Sequence, residues 1–100
     1  MMTVNNVLDY LKEKYPLNTA CDFDNVGLLV GDGNAAVSTV VVCLDCDIDT
    51  VNYAKEIGAQ LIVTHHPVIF NGLKCVTVGT VVYELVKANI SVISMHTNLD

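Results

Sequence analysis

Three stretches decide the fold: TVVVCLD at 39–45, AQLIVTH at 59–65 and NISVISMH at 89–96. Each holds a short run rich in Val and Ile. Near-continuous apolarity over so few residues suits strands covered on both faces, as in a parallel sheet. The segments between them carry helical patterns. Asp49 or Thr50 can cap a short helix bearing Val51, Ala54 and Ile57, with Gly58 as its stop. Thr77 can cap a second helix that aligns Val78, Val81, Val82, Leu85 and Val86 in one stripe. The pattern predicts β-α-β-α-β order with strands over 39–44, 60–64 and 91–95, joined by right-handed crossovers.

Upstream, Thr3 can cap a first helix in which Val4, Val7, Leu8 and Leu11 recur at helical spacing, and Pro16 prevents its continuation. Asp24-Asn25 reads as a turn, Gly27-Leu28-Leu29-Val30 as a short strand, and Gly31-Asp32-Gly33-Asn34 as a second turn. The expected fold class is α/β: an open β-α-β-α-β layered sheet, mostly parallel, with GLLV as an additional edge or antiparallel strand.

A chain of 100 residues is one small domain. Apolar residues make up 52% of it, which is rich for a lone domain and points to extra burial at a subunit or domain interface. The net charge is −6, from 5 basic and 11 acidic residues. All the basic residues are lysines, Lys12, Lys14, Lys55, Lys74 and Lys87, and they are scattered. A nucleic-acid partner needs a clustered basic face, so none is expected. The absence of arginine also removes the bidentate guanidinium that clamps phosphates. Acidity together with His65, His66 and His96 suits a cation site better than an anion site.

The start, MMTVNNVLDYLKEKY, lacks the apolar core of a signal peptide, and no apolar run approaches the ~20 residues of a membrane span. The expected setting is cytoplasmic, with Cys21, Cys43, Cys46 and Cys75 reduced. Cys43-Leu44-Asp45-Cys46 spells a lone C-x-x-C with no second pair to complete a four-sulfur zinc site, and Cys43 falls inside a strand pattern. Neither a disulfide nor a zinc ion is expected there.

In open α/β sheets, ligands bind beyond the carboxyl ends of the strands. Each core segment ends in polar residues: Asp45 after the first, His65 and His66 after the second, His96 and then Asp100 after the third. Parallel strands bring such ends together. Imidazole is the commonest nitrogen ligand for transition metals, a carboxylate such as Asp100 can bridge two ions, and Pro67 pushes His66 toward an extended backbone. The competing reading makes His65 and His66 hydrogen-bonded loop histidines. His96 is either a ligand or a hydrogen-bonding support that orients Asp100, and the second role is favoured. Asn98 shapes the turn. Asp45 either faces the crevice or is a solvated strand-end carboxylate. Gly31-Asp32-Gly33 lacks the third glycine of a dinucleotide fingerprint, no Walker sequence is present, and no elbow-like context supports a Cys–His nucleophile.

Taken together, DFDNVGLLVGD (22–32), CLDCDIDTVNYAKEIGAQLIVTHHPVIF (43–70) and the ending HTNLD (96–100) resemble the Nif-three-like family, whose members often carry the name GTP cyclohydrolase I type 2 homologue. The resemblance runs in order over nearly the whole chain. It implies an α/β fold and a dinuclear metal centre in which His65 and His66 each serve one metal and Asp100 is a carboxylate ligand. It also implies a longer parent, with residues 1–100 as the amino-terminal metal-binding domain of a two-half protein. The second half of such a parent supplies a further His and Glu from a His-x-x-x-Glu motif, and the assembly is a homo-oligomer, a ring-like hexamer. This sequence departs from the family at its end, since no His or Glu follows Asp100, and at Cys46, where the family often has Val.

Two functions follow from these readings. One is a metal-dependent hydrolase in which two divalent ions activate water against a nucleotide or phosphate-containing small molecule. The other is a metal-binding scaffold or regulator without turnover. His and Asp ligands admit zinc, iron, manganese or nickel alike.

Overall fold

A computed structural model describes residues 1–15, 26–69 and 73–95 of the chain. The expectations for Pro16, Cys21, the Asp24-Asn25 turn, His96, Asn98 and Asp100 lie outside the described residues.

The elements run α1 (Val4–Lys14), β1 (Gly27–Val30), β2 (Val40–Cys43), α2 (Ile48–Ile57), β3 (Leu61–Thr64), α3 (Val81–Lys87) and β4 (Ser91–Ser94). They build one four-stranded sheet in the order β1-β4-β3-β2. Strands β2, β3 and β4 are mutually parallel, and β1 lies antiparallel to β4. The α/β class, the mostly parallel sheet and the antiparallel edge strand are as the sequence predicts.

Local chemistry explains the helix ends, and here the structure corrects two caps. Thr3 begins α1 with a capping box: its hydroxyl accepts from the Asn6 amide while the Asn6 side chain accepts from the Thr3 amide. Helix α2 is capped by Asp47, not by Asp49 or Thr50. The Asp47 carboxylate accepts from the Thr50 amide at 2.9 Å and from the Thr50 hydroxyl at 3.0 Å. It wins because it occupies the last extended residue, from which a side-chain oxygen reaches the third helical amide. Gly58 ends α2 in the left-handed region (φ 73°), as its position predicts. The third helix begins later than expected, with Thr80 at the cap position instead of Thr77. Residues 77–80 form a turn closed by the Thr80 amide on the Thr77 carbonyl, and Gly79 sits at φ 93°, which no helix admits. Val78 is therefore outside the helix and exposed.

The two sheet faces have different covers. On one, α2 and α3 pack Val51, Ala54 and Leu85 against Val41, Ile62 and Val92. On the other, α1 brings Val4, Val7, Leu8 and Leu11 onto Leu28, Leu61, Ile93 and Met95. Complete burial of a side chain such as Leu85 is worth about 1.5–3 kcal/mol, so these faces dominate the energetics.

Coverage on both faces holds for β3 and β4 and fails for β2. The register pairs Val40 with Leu61 and Val42 with Val63, which puts Val40 and Val42 on the α1 face. Helix α1 contacts the β1–β4–β3 side of that face and leaves the β2 edge open. Val42 is 77% exposed and Leu44 61%.

Candidate metal centre

The register aligns the carboxyl ends of the three parallel strands: Cys43 pairs with Thr64, and Thr64 with Ser94. Pairing continues past the ends of the strands. The His65 amide donates to the Cys43 carbonyl at 3.1 Å, the His66 amide to the Leu44 carbonyl at 2.9 Å, and the Met95 amide to the Thr64 carbonyl at 3.0 Å. Both histidines are thus held by backbone ladder bonds at the rim of the sheet, although they follow the last strand residue.

Thr64, buried beneath them, ties the rim together. Its hydroxyl lies 3.1 Å from the Leu44 carbonyl oxygen and 3.0 Å from that of His66. The two imidazoles meet edge to face, with centroids 5.1 Å apart and planes at 82°. His65 is half-buried and His66 is exposed. The Asp45 carboxylate stands 2.6 Å from His66 Nδ1.

Of the alternatives for Asp45, the structure realises parts of both. The side chain is 64% exposed, yet it bonds directly to His66. The signal in the sequence is positional: Asp45 and His66 each lie two residues beyond the last residues of adjacent parallel strands, Cys43 and Thr64. Pairing of the strands alone brings them side by side.

The nearby thiols behave as core groups. Burial pushes the Cys46 thiol up to about 12, with Cys43 and Asp47 adding to the effect. Burial also raises Cys43, against a hydrogen bond from Thr64 that opposes it. Cys43 and Cys46 are free thiols packed against the core, in line with the expectation of no disulfide.

The donor chemistry fits a transition metal: two imidazoles on one rim of a parallel sheet, one of them backed by a carboxylate. Among the described residues no three His, Cys, Asp or Glu side chains converge as a set able to hold an ion. The described residues thus offer two imidazoles and a carboxylate at one rim but not a set that could hold an ion by itself.

An open, mostly parallel sheet with helices on both faces and paired histidines at its carboxyl rim places the chain in the open α/β class. Comparison with known proteins gives the particular family. The model of Duf34/NIF3 (NGG1p interacting factor 3) matches residues 2–100, and the chain belongs to that family. A Staphylococcus aureus (strain Mu50) protein named GTP cyclohydrolase 1 type 2 homolog is 42% identical over 99% of the chain, which covers 28% of that protein. A Clostridium perfringens protein of the same name is 37% identical, again over 99% of the chain and 39% of the relative. The crystal structure of a hypothetical protein of Staphylococcus aureus superposes with a TM-score of 0.95 at 38% identity, over 99% of this chain and 34% of the other. The chain thus spans between about a quarter and two-fifths of the length of these relatives. No helix among the described residues is long and apolar enough to cross a membrane.

Proposed function

We propose that the chain supplies the paired-histidine part of a dinuclear divalent-metal centre, with His65 and His66 each serving one ion and Asp100 as a carboxylate ligand. The observation that carries this reading is the rim geometry. Two imidazoles 5.1 Å apart at 82° stand where an open α/β sheet places its ligands, in a segment fixed by ladder hydrogen bonds. The metal is zinc, iron, manganese or nickel, since the donor set favours none of them.

When bound, the two ions would lower the pKa of a water and orient a nucleotide or other phosphate-containing small molecule for hydrolysis. The names of the relatives, GTP cyclohydrolase 1 type 2 homolog, point to the same substrate class. The assembly is a homo-oligomer, a hexamer by family resemblance. The apolar β2 edge, with Val40, Val42 and Leu44 exposed, supports burial against further protein. A non-catalytic metal-binding scaffold shares these features and differs in lacking turnover.

Elemental analysis after exhaustive dialysis tests the metal reading. Three protein ligands are too few for two well-held ions, so the 100-residue chain is expected to hold metal weakly and a parent of the relatives' length to hold it tightly. His65→Ala and Asp100→Ala are expected to abolish retention in the parent. A parent that retains no metal returns His65 and His66 to ordinary loop histidines. Metal-dependent release of product from nucleotides or phosphate esters separates hydrolase from scaffold.

A further inference from the structure

We propose that Asp45 is a positioning residue that fixes the tautomer of His66, placing the proton on Nδ1 and the lone pair on Nε2. The inference rests on the reading of His66 as a metal ligand and adds to it the group that makes the ring competent.

A carboxylate has lone pairs and no proton to give, so a nitrogen 2.6 Å from Asp45 Oδ1 must be the donor. Nδ1 therefore carries hydrogen, and in the neutral ring Nε2 is left with the lone pair. The opposite tautomer would set two lone-pair atoms against each other at that distance and would protonate the nitrogen a metal needs. An anion behind the ring also makes the ligating nitrogen a better donor.

The contact is built into the fold. An exposed pair of this kind, with the side chain of His66 45% and that of Asp45 64% accessible, is screened by solvent and would not hold two loops together. The backbone does that. His65 and His66 extend the β2–β3 ladder through their bonds to Cys43 and Leu44. Thr64 links Leu44 to His66 from below. On the other flank, the Thr50 hydroxyl lies 3.2 Å from the Asp45 carbonyl oxygen and 3.0 Å from the Asp47 carboxylate and shares its one proton between them, tying Asp45 to the start of α2. The carboxylate and the ring are each placed by other interactions, so the hydrogen bond between them costs little additional ordering and is free to set the tautomer.

The test uses the 15N-labelled, metal-free chain at pH 8, read by long-range 1H–15N correlation of the imidazole nitrogens. His66 is expected to show a protonated Nδ1 and a lone-pair Nε2. Asp45→Ala is expected to release this preference, while Asp45→Asn, whose amide oxygen still accepts, keeps it. In a parent of the relatives' length, where the site is expected to hold metal tightly, zinc affinity measured by competition with a chromophoric chelator is expected to fall about 10- to 100-fold in Asp45→Ala. In a His66→Ala background the same change is expected to add no further loss, because Asp45 acts through that ring. A protonated Nε2 in the native chain, or a tautomer unmoved by Asp45→Ala in a variant with native circular dichroism, overturns the proposal. A tautomer that follows Asp45 while zinc affinity ignores His66→Ala overturns the metal reading instead, so the two failures are separable.

Discussion

The Thr64 hydroxyl and the Leu44 carbonyl oxygen lie 3.1 Å apart beneath the histidine rim, joining the exits of two adjacent parallel strands. Thr64 is also within 3.0 Å of the His66 carbonyl oxygen, so one buried side chain references both segments that carry the site. Thr64→Val keeps the shape and removes the hydroxyl. The expected cost is about 0.5–1.5 kcal/mol, the net worth of a buried hydrogen bond. Because the loss falls at the rim, amide exchange at His66 is expected to accelerate more than exchange at Ile62. Equal acceleration at both sites would show that Thr64 merely contributes to global stability.

Gly31 follows β1 with φ 107°, and a Cβ placed there would come within 2.7 Å of the Ser91 backbone Cα. Two penalties coincide at this position. A side chain is strained at that φ, and the neighbour it meets is the backbone of a central strand, which cannot step aside. Gly31→Ala is expected to cost about 2–6 kcal/mol, from strain of about 1–3 kcal/mol with an overpacking contribution of similar size. Urea denaturation measures it. Gly58 offers the control: its φ is 73° and a Cβ meets nothing within 4 Å, so Gly58→Ala is expected to carry the conformational cost alone.

The Asp47 carboxyl is held below its ordinary range, chiefly by the Thr50 amide and then by the Thr50 hydroxyl. A carboxyl depressed in the folded state stabilises it at pH values above the unfolded-state pKa. That contribution disappears as pH falls through the lower, folded-state value. The difference in Tm between the native chain and Asp47→Ala is therefore expected to be constant near neutrality and to shrink below about pH 4. A gap that widens on acidification would contradict the assignment of Asp47 as the cap.

Burial raises both Cys43 and Cys46, the latter to about 12, whereas Cys75 is exposed. Reaction with iodoacetamide requires the thiolate. Among the described thiols, Cys75 is expected to alkylate first at pH 8, with Cys46 the slowest, as read by peptide mass spectrometry over time. Rapid joint modification of Cys43 and Cys46 would show that the segment opens far more readily than its packing implies.

Much of the architecture is legible in the chain because its causes are local. The Val- and Ile-rich runs at 39–45, 59–65 and 89–96, Thr3 before an apolar stripe, and Gly58 after another each act within a few residues of their effect. The clustering of His65, His66 and Asp45 at one rim is legible as well, since parallel strands must align their carboxyl ends. Caps are less so. Asp47, Asp49 and Thr50 are all competent residues, and the choice depends on which one holds extended backbone at the entry to α2.

Sequence by itself determined that this chain makes a mostly parallel α/β sheet of the Duf34/NIF3 kind, with paired histidines at strand ends. Tertiary structure decided the order β1-β4-β3-β2, and with it everything that depends on which strand lies at an edge. TVVVC reads like the two central strands, yet β2 is peripheral, and the reach of α1 leaves Val42 in solvent. The pairing of Asp45 with His66 is a product of the same register. Strand order and face coverage follow from how separate segments share a limited apolar surface, and that competition among distant residues has no signature within any one of them.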